Sequence, residues 1–270
     1  MRFTGKSIIV TGAASGIGRA AALQFAAEGG QVICGDWSEA VEDTVAAIRA
    51  GGGTAESIRI DAGLEEDVIR TVGLAVNRFG GIDVMFANAG ISGGIAGLFD
   101  TDVALFTEVL RVNLIGPFLA IKHAAPLIVE RARANGTGGA IVLTASVAGM
   151  RSGAGSPAYS ASKAAVINLA QTSAQQLSGS NVRVNALCPG LTETGMTKPV
   201  FDYAREAGKE DRVGRLNPLR RAAHAEELAR VAVFLASDDA SYVNGQAIAV
   251  DGGLSSSHPV TRQEFGRTAV

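Results

Sequence analysis

Tyr159 and Lys163 stand four residues apart in the stretch SPAYSASKAAV, which runs from residue 156 to residue 166. Side chains at positions i and i+4 lie one turn apart on the same face of a helix. Pro157 suits a first helical turn, because a residue there needs no N–H partner. The stretch therefore predicts a helix that opens with two titratable groups, a phenol and an ammonium, side by side. An ordinary surface pair of Tyr and Lys would show the same spacing.

A second stretch whose residues could have a chemical role is the glycine-rich VTGAASGIGRA, residues 10–20. It follows an apolar run and opens a helical pattern, so Gly12, Gly16 and Gly18 allow a tight turn and a close approach of phosphate to the backbone. The free N–H groups and the dipole of the helix then favour a pyrophosphate. The spacing is T-G-x-x-x-G-x-G rather than G-x-G-x-x-G. A plain turn is the simpler alternative.

The acidic residue Asp36 ends the next apolar run, 18 residues after Gly18. A carboxylate at that place accepts hydrogen bonds from the adenosine ribose and repels a 2′-phosphate. Neither Ser15 nor Trp37, the neighbouring positions, carries a positive charge to neutralise one. The sequence therefore predicts NAD as the cofactor rather than NADP.

Short apolar runs alternate with amphipathic segments along the 270 residues, which is typical of parallel βαβ units whose strands are buried on both faces. We expect an α/β fold, a Rossmann-type doubly wound parallel sheet with helices on both faces, forming one domain over residues 1–270. The predicted strand regions are 6–11, 31–36, 55–61, 82–90, 139–146, 181–190 and 247–253. The predicted helices follow them to about residues 29, 50 and 79, span 102–133, contain Tyr159, and begin at about residue 225.

One charged, irregular stretch, residues 191–223, interrupts this alternation. A loop that long inside a domain is usually a lid or a binding loop. We expect it to close over the substrate, and we expect the polar residues 254–270 to form a C-terminal tail.

Composition excludes several classes of function. The net charge of −2 and the absence of a basic stripe give no case for nucleic acid as a partner. The N-terminus lacks a signal-peptide pattern, and no apolar run is long enough to span a membrane. Cys34 and Cys188 form no paired pattern and the three histidines lack ligand spacing, so we expect no disulfide framework, no metal and a cytoplasmic location.

Taken in order, the motifs make the chain resemble the classical short-chain dehydrogenase/reductase family over nearly its whole length. The motifs that carry the resemblance are TGAASGIG (11–18), NAG (88–90), Asn113 in RVNLIGPF, Ser146, YSASK (159–163) and PG (189–190).

The resemblance implies four catalytic residues. Tyr159 would be the general acid/base that exchanges a proton with the substrate oxygen while hydride moves to or from the nicotinamide. Lys163 would lower the pKa of Tyr159 and hold the nicotinamide ribose. Ser146 would hydrogen-bond the substrate oxygen, and Asn113 would support a water chain at a kink before Pro117. The simpler alternatives are a strand-end cap for Ser146 and a structural hydrogen bond for Asn113.

The expected effect of Lys163 on Tyr159 can be estimated. A free phenol has a pKa of about 10, which is too high for a base at neutral pH. An ammonium at roughly 5 Å, in an effective dielectric near 20, supplies on the order of 3 kcal/mol. We therefore expect the pKa of Tyr159 to fall by about two units.

The resemblance also extends the set of cofactor contacts. Asp61 would read adenine, with a helix cap as its alternative role, and Thr192 departs from the Ile or Val usual at its position. The expected cofactor-binding residues are Gly12, Ser15, Gly16, Ile17, Gly18, Asp36, Trp37, Asp61, Ala62, Asn88, Ala89, Gly90, Tyr159, Lys163, Pro189, Gly190, Thr192 and Thr194.

Residues expected near the nicotinamide are uncharged, which favours a neutral, hydrophobic secondary alcohol or ketone as the substrate. We expect a cyclic compound such as a terpenoid, a steroid or an alicyclic alcohol. The expected substrate-binding residues are Ser146, Val147, Ala148, Met150, Tyr159 and Met196, with Ile91 and Ser92 on the same rim. The rival substrate is a 3-oxoacyl or 3-hydroxyacyl thioester, whose phosphopantetheine Arg205, Arg212 and Arg215 could receive.

Three further alternatives remain at the level of sequence. A non-catalytic dinucleotide-binding regulator is disfavoured because all four catalytic positions are filled. A sugar-nucleotide epimerase would carry a longer substrate domain, and an enoyl reductase would have a wider Tyr–Lys spacing. The family also implies a homo-oligomer, with a tetramer expected.

Overall fold

Strands and helices alternate along residues 1–257, which are the residues that the computed structural model describes. The predicted tail therefore lies outside the described residues from position 258 onward. The strands are β1 (Ser7–Thr11), β2 (Gln31–Asp36), β3 (Thr54–Arg59), β4 (Val84–Ala87), β5 (Gly139–Thr144), β6 (Val182–Pro189), β7 (Thr192–Glu193), β8 (Ala223–His224) and β9 (Ala247–Val250). The helices are α1 (Gly16–Ala27), α2 (Val41–Ala50), α3 (Glu65–Phe79), α4 (Val103–Leu110), α5 (Gly116–Asn135), α6 (Pro157–Gln176), α7 (Lys198–Glu206) and α8 (Ala225–Ala236).

Seven of these strands form one parallel sheet in the order β3-β2-β1-β4-β5-β6-β9. The chain winds outward in one direction from β1 to β3, and β4 then returns to the other side of β1. This confirms the predicted doubly wound parallel sheet. The order reverses between β1 and β4, and ligands of open α/β sheets bind beyond the carboxyl ends of the strands at such a point.

The core has two halves because successive side chains of a strand point to opposite faces of the sheet. Ile8 and Val10 of β1 pack with residues of α1, α2 and α8 on one face. Ile9, between them, packs with residues of α3, α5 and α6 on the other face. Strands that are buried on both faces explain the continuous apolar runs in the sequence.

The predicted long helix is present but interrupted. Between α4 and α5, residues Arg111–Ile115 form one π-helical turn, in which Gly116 N–H donates to the carbonyl of Arg111. Pro117 has no N–H to donate to the carbonyl of Asn113, the bond that an uninterrupted α-helix would form. The proline therefore disturbs the helix at Asn113, as the sequence predicts.

By length and composition, the run Val103–Asn135 is the one helical segment in the described part of the chain that could cross a membrane. That is weak evidence, since a core helix of a soluble protein passes the same test. Ala120, Ala124 and Ile128 of α5 are buried in the core beside the sheet. The structure uses this segment to cover one face of the sheet.

Residues 191–223 are less irregular than the sequence suggests. They contain α7, a short 3₁₀ turn at Glu210–Arg212, and β7, which pairs in parallel with β8. In α7 only Phe201 and Ala204 are buried. Two apolar residues at i and i+3 are too few to reveal a helix by periodicity, which is why the sequence analysis misses it.

Candidate active site

A cavity of about 770 Å³ opens at the carboxyl ends of the strands. Thr144 and Pro189, the last residues of β5 and β6, line it, as does Asp36 at the end of β2. Expected site residues that line it are Gly12, Ser15, Gly16, Ile17, Asp36, Trp37, Asp61, Ala62, Asn88, Ala89, Gly90, Ser146, Tyr159, Lys163, Pro189, Gly190, Thr192, Thr194 and Met196. Residues scattered over most of the chain therefore meet in one space.

The glycine turn has the geometry that a phosphate needs. Gly12 has a φ of 69° and Gly16 has a φ of 52°, a backbone conformation that glycine adopts without penalty. A Cβ on Gly18 would stand 2.0 Å from the carbonyl oxygen of Gly12, so only glycine allows α1 to start this close to the turn. Ser15 caps α1 without a side-chain hydrogen bond, and the first residues of the helix face the cavity. These residues fit a pyrophosphate.

Asp36 lies at the edge of the same turn. Its carboxylate accepts hydrogen bonds from the backbone N–H groups of Ala14 and Ser38, both at 2.9 Å. Each carboxylate oxygen has a second lone pair, so the group can still accept from ribose hydroxyls. Asp36 therefore keeps the acceptor capacity that the sequence analysis requires of it.

Arg59 is a cation beside Asp36, at the end of the cavity where the adenosine is expected, and the sequence did not indicate it. It is the register partner of Asp36 across β2 and β3, and its guanidinium lies 5.6 Å from the ring centroid of the exposed Trp37. It also donates to the carbonyl of Trp37 and to Glu39. Only the strand register brings Arg59 to this place, so no local sequence signal could have revealed it.

Asp61 stands two residues beyond the end of β3 rather than within it. Its carboxylate oxygens accept from Arg111 at 3.0 and 2.7 Å, and one of them also accepts from Gly63 N–H at 2.8 Å. The Arg111 guanidinium holds the pKa of Asp61 below its usual range. Leu64, not Asp61, is the N-cap of α3, so the helix-cap alternative is wrong.

Tyr159, Ser146 and Lys163 form a compact group at the other end of the cavity. The Ser156 hydroxyl accepts from Tyr159 N–H at 3.3 Å and so caps α6, with Pro157 in its first turn. Ser146 lines the same part of the cavity as Tyr159, and it opposes the rise in the pKa of the Tyr159 phenol that burial causes. Lys163 Nζ donates to the carbonyl of Thr144 at 2.7 Å and lies 5.5 Å from the Tyr159 ring centroid.

The pKa values of this group differ from the expectation. Burial raises the pKa of Tyr159, and the hydrogen bond to Ser146 opposes this only in part. Burial also lowers the pKa of Lys163 to about 8. The predicted fall in the pKa of Tyr159 is therefore not found, because desolvation of the phenolate outweighs the opposing effect of Ser146.

Asn113 is fully buried in the π-helical turn, and its side-chain amide is occupied. Its oxygen accepts from Ile91 N–H at 2.8 Å, and its nitrogen donates to the carbonyl of Ile91 at 2.9 Å and to Ser162 at 3.2 Å. A Cβ on Gly90 would lie 3.1 Å from the Asn113 oxygen and 3.4 Å from Lys163 Nζ. Asn113 thus fixes the segment that follows β4 beside the lysine.

Asn88 ties three strand ends together. Its amide nitrogen donates to the carbonyls of Thr11 and Gly12, and its amide oxygen accepts from the Thr144 hydroxyl. The glycine turn, β4 and β5 are thereby held in one arrangement beneath the cavity floor.

Only some of the expected substrate-binding residues line the cavity. Met196 lines the cavity, whereas Val147, Ala148 and Met150 do not. Val147 and Ala148 are 4% exposed and lie in a 3₁₀ turn, while the Met150 side chain is exposed outside the cavity. The chain turns inward directly after Ser146, so these three residues do not line the described cavity, and their contact with substrate stays a prediction. Val112 lines the cavity as well, and Glu108 and Arg111 line it near Asp61, with which Arg111 pairs.

Comparison with known proteins places this arrangement in a class. A family model described as enoyl-(acyl carrier protein) reductase matches residues 12–255. The chain is 39% identical over 255 residues to a 3-oxoacyl-[acyl-carrier-protein] reductase of Thermotoga maritima, covering 94% of this chain and 99% of the relative. It is also 39% identical over 253 residues to a cis-4-hydroxycyclohexanecarboxylate dehydrogenase of Sinomonas cyclohexanicum, covering 93% and 97%.

Solved structures give the same result. Levodione reductase superposes with a TM-score of 0.88 at 34% identity, covering 95% of this chain and 100% of that chain. A structure described as a gluconate 5-dehydrogenase of Beutenbergia cavernae, with NADP at low occupancy, gives a TM-score of 0.84 at 33% identity and covers 94% and 98%.

The fold and site are those of an oxidoreductase that binds a nicotinamide dinucleotide. The chain belongs to the short-chain dehydrogenase/reductase family. Within residues 1–257, no group of three or more His, Cys, Asp and Glu is placed to hold a metal ion.

Proposed function

We propose that this protein is an NAD-dependent oxidoreductase that interconverts a secondary alcohol and a ketone on a neutral, hydrophobic, cyclic substrate. The observation that carries the proposal is that Ser146, Tyr159 and Lys163 line one end of a cavity whose other end is a glycine turn, with Lys163 Nζ 5.5 Å from the Tyr159 ring centroid. All four expected catalytic residues are present, and three of them, Ser146, Tyr159 and Lys163, line the same cavity.

Each residue of this group has a distinct task in the proposed reaction. Ser146 and Tyr159 donate hydrogen bonds to the substrate oxygen, and Tyr159 takes or returns its proton. Lys163 holds the nicotinamide ribose and stabilises the phenolate when it forms. Bound NAD supplies hydride transfer and, while oxidised, a positive charge near Tyr159. Asn113 keeps the Ile91 segment and the turn beside Lys163 in place.

NAD is favoured over NADP because Asp36 presents a carboxylate at the ribose position, where a 2′-phosphate would be repelled. Arg59 is engaged by Glu39 and by the carbonyl of Trp37, which supports the same preference. The NADP described in the neighbouring gluconate 5-dehydrogenase structure belongs to that protein, and it makes the coenzyme comparison a necessary measurement.

A neutral substrate is favoured by the side chains near Tyr159. Ile91, Val112 and Met196 line the cavity there with apolar surface. We propose that residues 191–223 act as a lid, in which Met196, two residues before α7, closes over the reacting carbon and excludes water. The relative that acts on a hydroxycyclohexane carboxylate supports a cyclic substrate.

A 3-oxoacyl-thioester reductase is the second candidate, and the Thermotoga relative favours it. Its phosphopantetheine would need free cations at the rim. Arg205 pairs with Glu193 and Glu210, and Arg215 pairs with Asp211, so two of the three arginines are neutralised. Arg212 makes no ion pair within residues 1–257 and is the one arginine of the three left for a thioester, which supports the alcohol as the first candidate.

A homotetramer is the proposed assembly. The exposed apolar side chains Ile115 and Phe118, at the start of α5, would be covered by a second copy. Multi-angle light scattering of the purified protein gives the number of subunits directly, and a monomer would contradict this part of the proposal.

The deciding experiment is a spectrophotometric panel of alicyclic alcohols, their ketones and 3-hydroxyacyl thioesters with both coenzymes. We expect turnover with NAD(H) and the highest kcat/KM for an alicyclic alcohol or ketone. A tenfold or greater advantage for a thioester would replace the proposed substrate with the second candidate. Tight NADH binding without turnover on any substrate would favour the non-catalytic regulator.

A further inference from the structure

The π-helical turn Arg111–Ile115 touches both ends of the cavity. At one end, Arg111 forms a two-pronged ion pair with Asp61, at 3.0 and 2.7 Å, and a second pair with Glu108 on α4, at 2.7 Å. At the other end, the side-chain amide of Asn113 forms two hydrogen bonds with the backbone of Ile91. Paired hydrogen bonds of this kind fix orientation as well as distance.

Close backbone packing reinforces the contact at the adenosine end. A Cβ on Gly116 would lie 2.9 Å from the carbonyl oxygen of Ala62. A Cβ on Gly63 would lie 2.4 Å from Arg111 Nη1 and 3.0 Å from the carbonyl oxygen of Arg111. Glycine at both positions therefore lets residues 61–63, called here the adenosine loop, lie directly against the turn.

The opposite face of the turn contacts the catalytic group. The Asn113 nitrogen donates to Ser162, whose hydroxyl donates to the carbonyl of Tyr159 at 2.7 Å. Asn113 is also close to Gly90, which in turn is close to Lys163 Nζ. A displacement of the turn would therefore reach both Tyr159 and Lys163.

We propose that Arg111 is a positioning residue that links the π-helical turn to the adenosine loop. Occupation of the adenosine end of the cavity then holds Asn113 in position. Binding energy from the adenosine half, far from the reacting carbon, is then used to hold the catalytic group in its productive geometry. This inference rests on the proposed function, because it assumes that a dinucleotide fills the cavity.

Hydrogen exchange with ADP-ribose as the probe tests the coupling without turnover, because ADP-ribose has no nicotinamide. In the wild-type protein, saturating ADP-ribose should slow amide exchange in a peptide spanning residues 108–118 by about fivefold or more. In Arg111→Met, which retains the aliphatic stem, the slowing should be less than about twofold in that peptide and should persist at the glycine turn.

Arg70→Met is the matched control. Arg70 pairs with Asp67 on α3, next to the adenosine loop, and makes no contact with the turn. In Arg70→Met, saturating ADP-ribose should slow amide exchange in residues 108–118 as much as in the wild type. Equal slowing in wild type and Arg111→Met would overturn the proposal, and so would a complete loss of ADP-ribose binding in Arg111→Met, since Arg111 would then be a binding residue.

Kinetics supply the second test. With saturating NAD, Arg111→Met should lower kcat by about tenfold, and the double variant Asp61→Asn/Arg111→Met should be no slower than Arg111→Met, because both changes remove one contact. A rise in coenzyme KM with unchanged kcat, or a lower Tm with unchanged kcat, would overturn the positioning role. Wild-type turnover of an alicyclic alcohol or ketone with NAD(H) keeps the proposed function intact in either case.

Discussion

The adenosine end and the substrate end of the cavity are built in different ways. At the adenosine end, backbone groups, glycines and short polar bonds set the geometry, as in the turn at Gly12–Gly18 and the two bonds to Asp36. In the proposed lid at the substrate end, α7 buries only Phe201 and Ala204, while Val200 and Tyr203 are largely exposed. One end is rigidly specified and the other is lightly packed.

The difference follows from what each end must recognise. A pyrophosphate and a ribose are the same in every turnover, so fixed N–H groups and one carboxylate suffice. A substrate has to enter and leave, and segments that move are drawn from the least tightly packed parts of a protein. The group of Ser146, Tyr159 and Lys163 lies at the end opposite the glycine turn, and the proposed coupling through Arg111 makes it depend on the adenosine end as well, so variants can separate the two contributions.

The largest effect should come from Tyr159→Phe, which removes only the proton-transferring oxygen. We expect a loss of turnover of about 10²–10⁴-fold, with NADH affinity nearly unchanged. NADH fluorescence and single-substrate kinetics measure the two quantities. Retention of more than about a hundredth of the wild-type rate would remove Tyr159 from its role.

Next in size is the effect of Lys163→Met on stability. The pKa of Lys163 is about 8 in the folded protein against 10.5 for the free group. The unfolded chain therefore binds more protons between these two pH values, and the wild-type protein gains stability relative to the variant as pH rises from 8 to 10.5. The gain should be on the order of 3 kcal/mol, and it disappears as pH falls through the folded pKa.

Urea unfolding of wild type and Lys163→Met at pH 7 and at pH 10.5 measures this gain. A difference between the two proteins that is independent of pH would show that Lys163 is not desolvated as the structure has it. The variant should also lose turnover and bind NADH more weakly, because it lacks the ribose contact.

A third prediction tests the adenosine end. Asp36→Asn removes the charge but keeps one acceptor oxygen for the backbone, so the fold should hold. We expect the ratio of kcat/KM for NAD to that for NADP to fall by about 10–100-fold, the value of hydrogen bonds to a charged group. Wild-type efficiency with NADP equal to or above that with NAD would refute the coenzyme assignment.

The smallest effect should come from a change in the proposed lid. Arg205 lies on α7 and pairs with Glu193 and Glu210 in solvent, where such pairs contribute little. Arg205→Ala should change kcat/KM for an alicyclic alcohol by less than about twofold. A larger loss confined to thioester substrates would revive the phosphopantetheine site and with it the second candidate.

The sequence predicted the sheet, the glycine turn, the helix that carries Tyr159, and the disturbance at Asn113, because each depends on residues that are near one another in the chain. The sequence did not show that Val147, Ala148 and Met150 lie outside the cavity lining, because a 3₁₀ turn after Ser146 buries the first two and places the third outside the cavity. The pKa of Tyr159 was also misjudged. Spacing gives the distance to Lys163, but desolvation depends on everything packed around the phenol.

The sequence by itself determined the alternation of strands and helices and the chemistry of Asp36, Tyr159 and Lys163, because periodicity and residue type are local properties. Only the tertiary structure decided which charges meet. Arg59 reaches Trp37 through strand register, and Arg111 reaches Asp61 across 50 residues of chain. Such long-range pairs depend on how the sheet and helices pack, and no spacing in the sequence encodes that packing by itself.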